Sequence, residues 1–213
     1  MFQSGVGPQK AHHASEAVLA VDSWDLVMSS GFAGALVPCA IGAIVVAHDV
    51  QMEDAGLQLD SISLRCDERF RDRSFQIARS LDGASQLGRI VTWPRIVGEA
   101  SEKQRIAART QAVAIDMESA VLGRIAQKHD FPFIVVRTIS DLVDEDLPLD
   151  FNLFLHPNRW VEGVGQVLQR PGSLLKIPGL RRQMLVASAQ LTKFFLKFFD
   201  DLESIAEGPG QLL

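Results

Sequence analysis

The sequence predicts an α/β fold, and two apolar runs separated by an amphipathic segment are the observations that predict it. Residues 112–115 and 131–139 are largely apolar, which is typical of buried parallel strands. Residues 118–128 place their apolar side chains on one face of a helix. A strand–helix–strand unit of this length predicts a right-handed crossover between two parallel strands.

The same patterns predict the other elements of the domain. A helix is expected to begin at Pro8, because proline is accepted in the first turn of a helix. Hydrophobic periodicity predicts the following further elements: a helix over 8–21, strands over 25–30, 41–50, 57–64 and 88–93, an amphipathic helix over 68–81, and a charged surface helix over 99–108.

The chain changes character after residue 157. A helix is predicted over 160–168, and Pro-Gly pairs at 171–172 and 178–179 then interrupt the pattern before a long apolar and basic segment at 180–202. We expect this C-terminal extension, residues 158–213, to be helical and to pack on the domain or on a second subunit. Peripheral contact with a membrane surface is the alternative.

Composition excludes several classes of protein. The 213 residues are 47% hydrophobic, enough for one α/β domain with a full core, and the net charge of -5 argues against nonspecific nucleic-acid binding. Cys39 and Cys66 match no CxxC or zinc pattern, so no metal is expected and a reduced, cytoplasmic setting is predicted. No secretory signal and no apolar run of about 20 residues is visible.

The candidate site residues lie at the ends of the two strands of the central unit. Asp116, Met117 and Glu118 follow the first strand, and Arg137, Ser140 and Asp141 lie at the end of the second. Ligands of open α/β sheets bind beyond the carboxyl ends of the strands, so we expect these side chains to converge on one rim. Arg137 lies four residues before Asp141, which places both on one face of a regular strand.

A resemblance to a known family rests on four segments, which are GVGP at 5–8, SGFAGAL at 30–36, DMESA at 116–120 and RTISD at 137–141. In this order they resemble the nucleoside phosphorylase and nucleosidase superfamily. The most similar branches are the nucleosidases of methylthioadenosine and S-adenosylhomocysteine and the hopanoid-associated phosphorylases. The resemblance implies a three-layer domain over 1–157, with a central mixed, mostly parallel sheet flanked by helices. It also implies that the family's N-terminal strand, which supplies an acid near the nucleophile, is missing here.

The resemblance assigns roles to the residues at the rim. Asp141 is the expected general acid for the departing base, and a carboxylic acid donates only while it keeps its proton. Ser140 orients Asp141, and Glu118 accepts hydrogen bonds from the ribose hydroxyls. Met117 packs on the sugar, and Arg137 lies near the nucleophile, with a structural ion pair to Glu118 or Asp116 as the alternative.

Two loops complete the expected site. A glycine turn with Gly31, Ala33 and Gly34 faces the ribose, or phosphate in phosphorylases. Phe32 stands there where the family often has a hydroxyl residue, which weakens phosphate binding. In the loop at 94–98, Ile96 is the candidate apolar wall for the base.

The expected activity is cleavage of the N-glycosidic bond of an adenosine-like, 5′-modified nucleoside by water or phosphate. No cofactor is expected, with phosphate as a possible co-substrate, and the partners are the small-molecule substrate and further copies of the chain in a homo-oligomer. The alternatives are a catalytically impaired nucleoside-binding protein of the same fold and, with less support, another small-molecule α/β enzyme such as a methyltransferase.

Overall fold

The computed structural model describes residue 2 and residues 7–53, 62–155 and 177–206. The strands are β1 (Val27–Ala35), β2 (Ile44–Met52), β3 (Ile62–Arg65), β4 (Ser85–Thr92), β5 (Ala114–Asp116) and β6 (Phe133–Asp141). The helices are α1 (Pro8–Leu19), α2 (Glu68–Arg79), α3 (Ala100–Thr110), α4 (Ser119–Lys128), α5 (Asn152–Leu155) and α6 (Ile177–Ala206). Apart from α5, which was not predicted, the elements lie near their predicted positions, and β1 and α6 are longer than expected.

One mixed sheet forms the centre of the molecule. Its strand order is β3-β2-β4-β5-β1-β6, and β6 also pairs with β2, so the sheet closes on itself. Among the described strands, β1–β6, β2–β4 and β4–β5 are parallel, and these ladders include the two longest. The pairings β1–β5, β2–β3 and β2–β6 are antiparallel. The predicted α/β domain with a central mixed sheet flanked by helices is confirmed.

The predicted parallel crossover from β5 to β6 is wrong. Strand β1 lies between them and pairs antiparallel with β5 but parallel with β6. The two strands therefore run in opposite directions, and α4 connects them across the intervening β1. The apolar pattern identified both strands correctly, but it carries no information about which strand separates them.

Apolar side chains pack the helices against both surfaces of the sheet. Helices α1 and α4 cover the largest core cluster, which is centred on small and β-branched residues of β1, β2 and β6. Helix α6 packs on the other side, where Phe194 and Phe198 contact the cluster that contains Ile44 and Val136. Asp67 begins α2, because its side chain accepts a hydrogen bond from the Phe70 backbone at 3.0 Å.

The C-terminal extension is described only in part. Pro178 and Gly179 lie in the first turn of α6 and do not interrupt it, because proline lacks only an N–H that has no partner inside the helix there. The predicted domain boundary at 157 and the predicted helix over 160–168 lie outside the described residues. Of the helices that the structure describes, none combines the length and apolarity needed to span a membrane.

Close packing of α4 on β6 generates a stability prediction at Gly123. A β-carbon on this residue would lie 2.6 Å from Cε1 of Phe133 and 3.1 Å from Cδ1 of Leu64. Gly123→Ala is therefore expected to lower the free energy of unfolding by about 1–3 kcal/mol, the usual cost of overpacking a core. Urea denaturation measures the change.

Gly179→Ala is the matched control, because a β-carbon on Gly179 has no atom within 4 Å and alanine favours a helix. Its stability should equal or exceed that of the unchanged protein. Equal stabilities of the two variants would contradict the packing of α4 described above.

Candidate active site

A buried ion pair joins two of the predicted site residues. Nη2 of Arg137 lies 2.5 Å from Oδ2 of Asp116, and Arg137 is only 3% exposed. The same nitrogen donates to the hydroxyl oxygens of Ser29 at 2.9 Å and Ser119 at 2.8 Å. The structure therefore contains the ion pair that was the alternative for Arg137. Among the described contacts, Nε of Arg137 has no hydrogen-bond partner.

Asp116 connects this ion pair to β4 and to the start of α4. Its Oδ1 accepts a hydrogen bond from the hydroxyl of Thr92 at 2.7 Å, and Oδ2 accepts one from the backbone N–H of Ser119 at 3.2 Å. Thr92 in turn accepts from the backbone N–H of Ala120 at 2.9 Å. The first N–H groups of a helix have no partner within the helix and favour negative charge, so Asp116 both caps α4 and compensates Arg137.

Glu118 immediately precedes α4 and is held by the early glycine segment. Its Oε1 accepts a hydrogen bond from the backbone N–H of Gly7 at 2.8 Å. Burial raises the pKa of the Glu118 carboxyl, and the charge of Asp116 adds to the rise, while the Gly7 hydrogen bond and Arg137 lower it. Gly7 has a φ of 101°, a conformation that favours glycine.

The predicted glycine turn at 31–34 is instead part of β1. Gly31 pairs with Arg137 and Gly34 pairs with Asp141 across the parallel ladder, with Ala33 buried between them. A β-carbon on Gly31 would lie 2.6 Å from Nη1 of Arg137, and one on Gly34 would lie 2.9 Å from Oδ2 of Asp141. The glycines are needed because two charged side chains approach the backbone closely, and no turn is required there.

Asp141 stands at the end of β6, next to an irregularity in the ladder. Ala33 pairs with Ile139 but Gly34 pairs with Asp141, so Ser140 is an extra residue in β6. Such an insertion re-aims the side chains that follow it and interrupts the alternation on which the shared face of Arg137 and Asp141 was predicted. The Ser140 hydroxyl donates to Oδ1 of Asp141 at 3.0 Å.

The main partner of Asp141 is a residue that sequence reasoning missed. Nζ of Lys103 lies 2.5 Å from Oδ2 of Asp141, and Lys103 is 0% exposed. Helix α3 was predicted to be a charged surface helix, but it buries Lys103, Ile106 and Thr110. These positions follow the i, i+3, i+7 spacing of an inward face, which is the signal that could have identified the lysine as buried.

The loop at 94–98 directly precedes α3, the helix that carries Lys103. Asn152 of α5 accepts a hydrogen bond from the backbone N–H of Ile96 at 2.8 Å and donates to its carbonyl at 2.9 Å. Met117 and Ile96 are both half-buried, whereas Phe32 is among the exposed large apolar residues. The place of Met117 against a sugar stays a prediction.

Strand β1 connects the two groups of site residues. Gly34 pairs with Ile115 on one side and with Asp141 on the other. One group contains Asp116, Glu118 and Arg137, and the other contains Lys103, Ser140 and Asp141. The carboxyl groups of Glu118 and Asp141 thus lie in unlike surroundings on either side of β1. Such a pair is suited to acid–base chemistry on a ligand that spans this strand.

The amino-acid sequence of this chain is similar to those of known nucleoside-cleaving enzymes. A model of the phosphorylase superfamily matches residues 1–160. The 5′-methylthioadenosine/S-adenosylhomocysteine nucleosidase of Staphylococcus aureus is 26% identical over 167 residues, which is 72% of each chain.

Solved structures show the same fold at lower sequence identity. The S-adenosylhomocysteine nucleosidase of Streptococcus pyogenes, in complex with 5-methylthiotubericidin, has a TM-score of 0.64 and 21% identity, covering 91% of this chain and 76% of that one. The futalosine hydrolase of Helicobacter pylori has a TM-score of 0.63 and 18% identity, covering 91% and 77%.

The raised pKa of Glu118 predicts a pH-dependent stability. A native pKa above the unfolded value of 4.5 means that the folded state binds the proton more tightly, so this carboxyl lowers stability as the pH rises through that range. Glu118→Gln keeps an acceptor for Gly7 without the charge. We expect it to raise the free energy of unfolding at neutral pH, with a difference that vanishes below pH 4.5.

Urea denaturation across this pH range checks the prediction. Asp144→Asn, which neutralises an exposed carboxyl, is the control and should show no such trend. A lower stability of Glu118→Gln at neutral pH would contradict the burial of the Glu118 charge.

Proposed function

The chain belongs to the phosphorylase superfamily, and on that premise we propose that it hydrolyses the N-glycosidic bond of a purine nucleoside. The substrate class is an adenosine-like nucleoside with a modified 5′ end, where the substituent is methylthio, homocysteinyl or a hopanoid group. The names of the relatives support this choice, since they are nucleosidases and a hydrolase. Phosphorolysis is the alternative within the same superfamily.

The observation that carries the proposal is the position of β1 between the two acidic groups. Gly34 is paired with Ile115, one residue before Asp116, and also with Asp141. A nucleoside laid along this strand has its sugar on the side of Glu118 and its base on the side of Asp141. A purine and its ribose are directly bonded, so the two carboxyl groups have to lie close enough to contact a single nucleoside. The pairing of Gly34 with both neighbouring strands brings them close in this way.

The chemistry of glycosidic cleavage suits these two groups. Bond breaking leaves negative charge on the purine and cationic character on the ribose. In the proposed reaction Asp141 gives a proton to the base, which removes the first charge. The water that bonds to the cationic sugar carbon releases a proton to solvent, and Asp141 takes up a proton from solvent before the next turnover. Glu118 accepts hydrogen bonds from the ribose hydroxyls, and its negative charge favours the cationic sugar in the transition state.

The remaining predicted residues assist in this scheme. Arg137 lies beside Gly31 and orients the attacking water, or phosphate in the alternative reaction, with the part of its guanidinium that Asp116 does not occupy. Met117 packs on the sugar, and Ile96 forms an apolar wall for the base. Ser140 holds Oδ1 of Asp141 at 3.0 Å.

Release of adenine tests the proposal directly. We expect the protein to release adenine from methylthioadenosine, and more slowly from adenosine, at the same rate with and without inorganic phosphate. Release that requires phosphate would identify a phosphorylase. Binding of both nucleosides without release would contradict catalysis and favour the binding-protein alternative. Absorbance or chromatographic assay of free adenine distinguishes these outcomes.

Replacement of the proposed acid tests its role. Asp141→Asn is expected to lower kcat by about 10²–10⁴-fold, the usual contribution of a general acid, and to leave nucleoside binding largely unchanged because the amide has nearly the same shape. Asp144→Asn is the control, since that exposed carboxyl lies only three residues away. Full activity of Asp141→Asn would rule out Asp141 as the acid.

A further inference from the structure

Lys103 is a fully buried lysine whose ammonium group is completely hydrogen-bonded. Its Nζ lies 2.5 Å from Oδ2 of Asp141, 2.7 Å from the carbonyl oxygen of Leu142 and 3.3 Å from that of Glu145. An ammonium has three N–H donors, and the structure provides an acceptor for each. The charge is therefore fixed in one place and cannot reach solvent.

Stability alone does not explain a lysine at this position. Position 103 lies on the inward face of α3 with Ile106 and Thr110. Removing an ammonium from water is unfavourable, and an apolar side chain paired with an uncharged partner often does as well or better in such a place. The reason for a lysine at position 103 must therefore lie in the groups that its ammonium binds.

Lys103 holds the proposed acid and the loop that follows it. Two of its acceptors belong to the segment directly after Asp141, so the end of β6 is tied to α3. The start of α3 is bound to the same loop, because the backbone N–H of Ala100 donates to Oδ1 of Asp146 at 2.8 Å. The backbone N–H of Leu147 also donates to the carbonyl of Gly98 at 2.8 Å.

These contacts connect Asp141 to the proposed wall of the base site. The loop at 94–98 leads directly into α3 and is also held through Ile96 by Asn152. Both the acid and the wall are therefore attached to the same short helix. A base placed between them would find its proton donor and its apolar contact at a fixed separation.

We propose that Lys103 is a positioning residue for Asp141 in glycosidic cleavage: its ammonium fixes the carboxyl beside Gly34 and stabilises the negative charge that Asp141 acquires as its proton leaves. This inference rests on the proposed function. The proton passes from Asp141 to the purine nitrogen as the bond from that base to the ribose breaks, and the resulting carboxylate is the ion-pair partner seen in the structure. Stabilisation of charge that develops in the transition state lowers the barrier.

The kinetic test is Lys103→Met, which keeps the length of the side chain and removes the charge. Because the ammonium acts on charge that develops in the transition state, kcat for methylthioadenosine should fall by about 10²-fold with little change in KM. On an Asp141→Asn background the same replacement should cause no further loss, since Lys103 acts through Asp141. Lys128→Met, which removes an exposed lysine paired with Glu16, is the matched control and should keep full activity.

Two kinetic outcomes would overturn the proposal. One is an unchanged kcat in Lys103→Met. The other is an additional loss when Lys103→Met is combined with Asp141→Asn, because that would show an effect independent of the acid. The double variant also removes both charges together, so it guards against a single variant that fails to fold because one buried charge is left unpaired.

A spectroscopic test on the unchanged sequence does not depend on turnover. A buried, fully hydrogen-bonded ammonium exchanges its protons slowly, so ¹⁵N-labelled lysine should give one persistent Nζ signal that Lys103→Met removes. Asp141→Asn should shift this signal strongly, and added adenine should shift it in the unchanged protein because the base binds against Asp141.

The kinetic and spectroscopic experiments together distinguish a failure of the positioning role from a failure of the proposed function on which it rests. Absence of adenine release by the unchanged protein would contradict the proposed function, while the effect of Asp141→Asn on the Nζ signal would still show whether Lys103 is bound to Asp141. A signal that is absent, or that Asp141→Asn leaves in place, would overturn the positioning role.

Discussion

The buried ion pair between Arg137 and Asp116 is the interaction on which the arrangement of the site depends. It lies where β1, β5, β6 and the start of α4 meet, and the hydroxyls of Ser29 and Ser119 accept further hydrogen bonds from Nη2 of Arg137. Breaking such a pair leaves an uncompensated buried charge, which commonly costs about 3–5 kcal/mol. The two charges therefore require each other, and the strands that carry them are held at one separation. Gly31 belongs to this arrangement, because any side chain there would displace the guanidinium.

This constraint also determines where Glu118 stands. Asp116 accepts a hydrogen bond from the first N–H of α4, that of Ser119, so the two residues between them have little freedom, and Glu118 is one of these two. Its carboxyl then lies within hydrogen-bonding distance of Gly7 and in the field of the ion pair. Asp141 is placed by different means, through the extra residue in β6 and the ammonium of Lys103. The two carboxyl groups thus have different hydrogen-bond partners, and the paired strands β1 and β6 connect their surroundings.

Local patterns in the sequence predicted the elements well, and the family resemblance predicted which residues would gather. The apolar periodicity of α2 and α4 and the apolar runs of β2 and β6 are consequences of burial, so they can be read from the sequence. The order of strands cannot, because the short pattern of β5 is the same whether β1 or β6 is its neighbour. Lys103 was missed because a lysine is almost always solvated, and the groups that accept its hydrogen bonds, Asp141 among them, lie 38 or more residues away in the sequence. The role of Gly31 and Gly34 was misjudged for the same reason, since the side chains that require them come from another strand.

Glu118 and Asp141 have different surroundings, and this difference affects the proposed reaction. Burial raises the pKa of the Glu118 carboxyl, while Asp141 is paired with the ammonium of Lys103. The proposed reaction needs a charged Glu118 and a proton on Asp141. Ribose hydroxyls that donate to Glu118 stabilise its carboxylate, because hydrogen bonds to the charged form offset the cost of burial. A purine nitrogen that binds at Asp141 needs a proton between the two atoms. The substrate itself therefore supplies the interactions that move the site toward its reactive protonation state, and a ligand that lacks the ribose hydroxyls supplies only half of them.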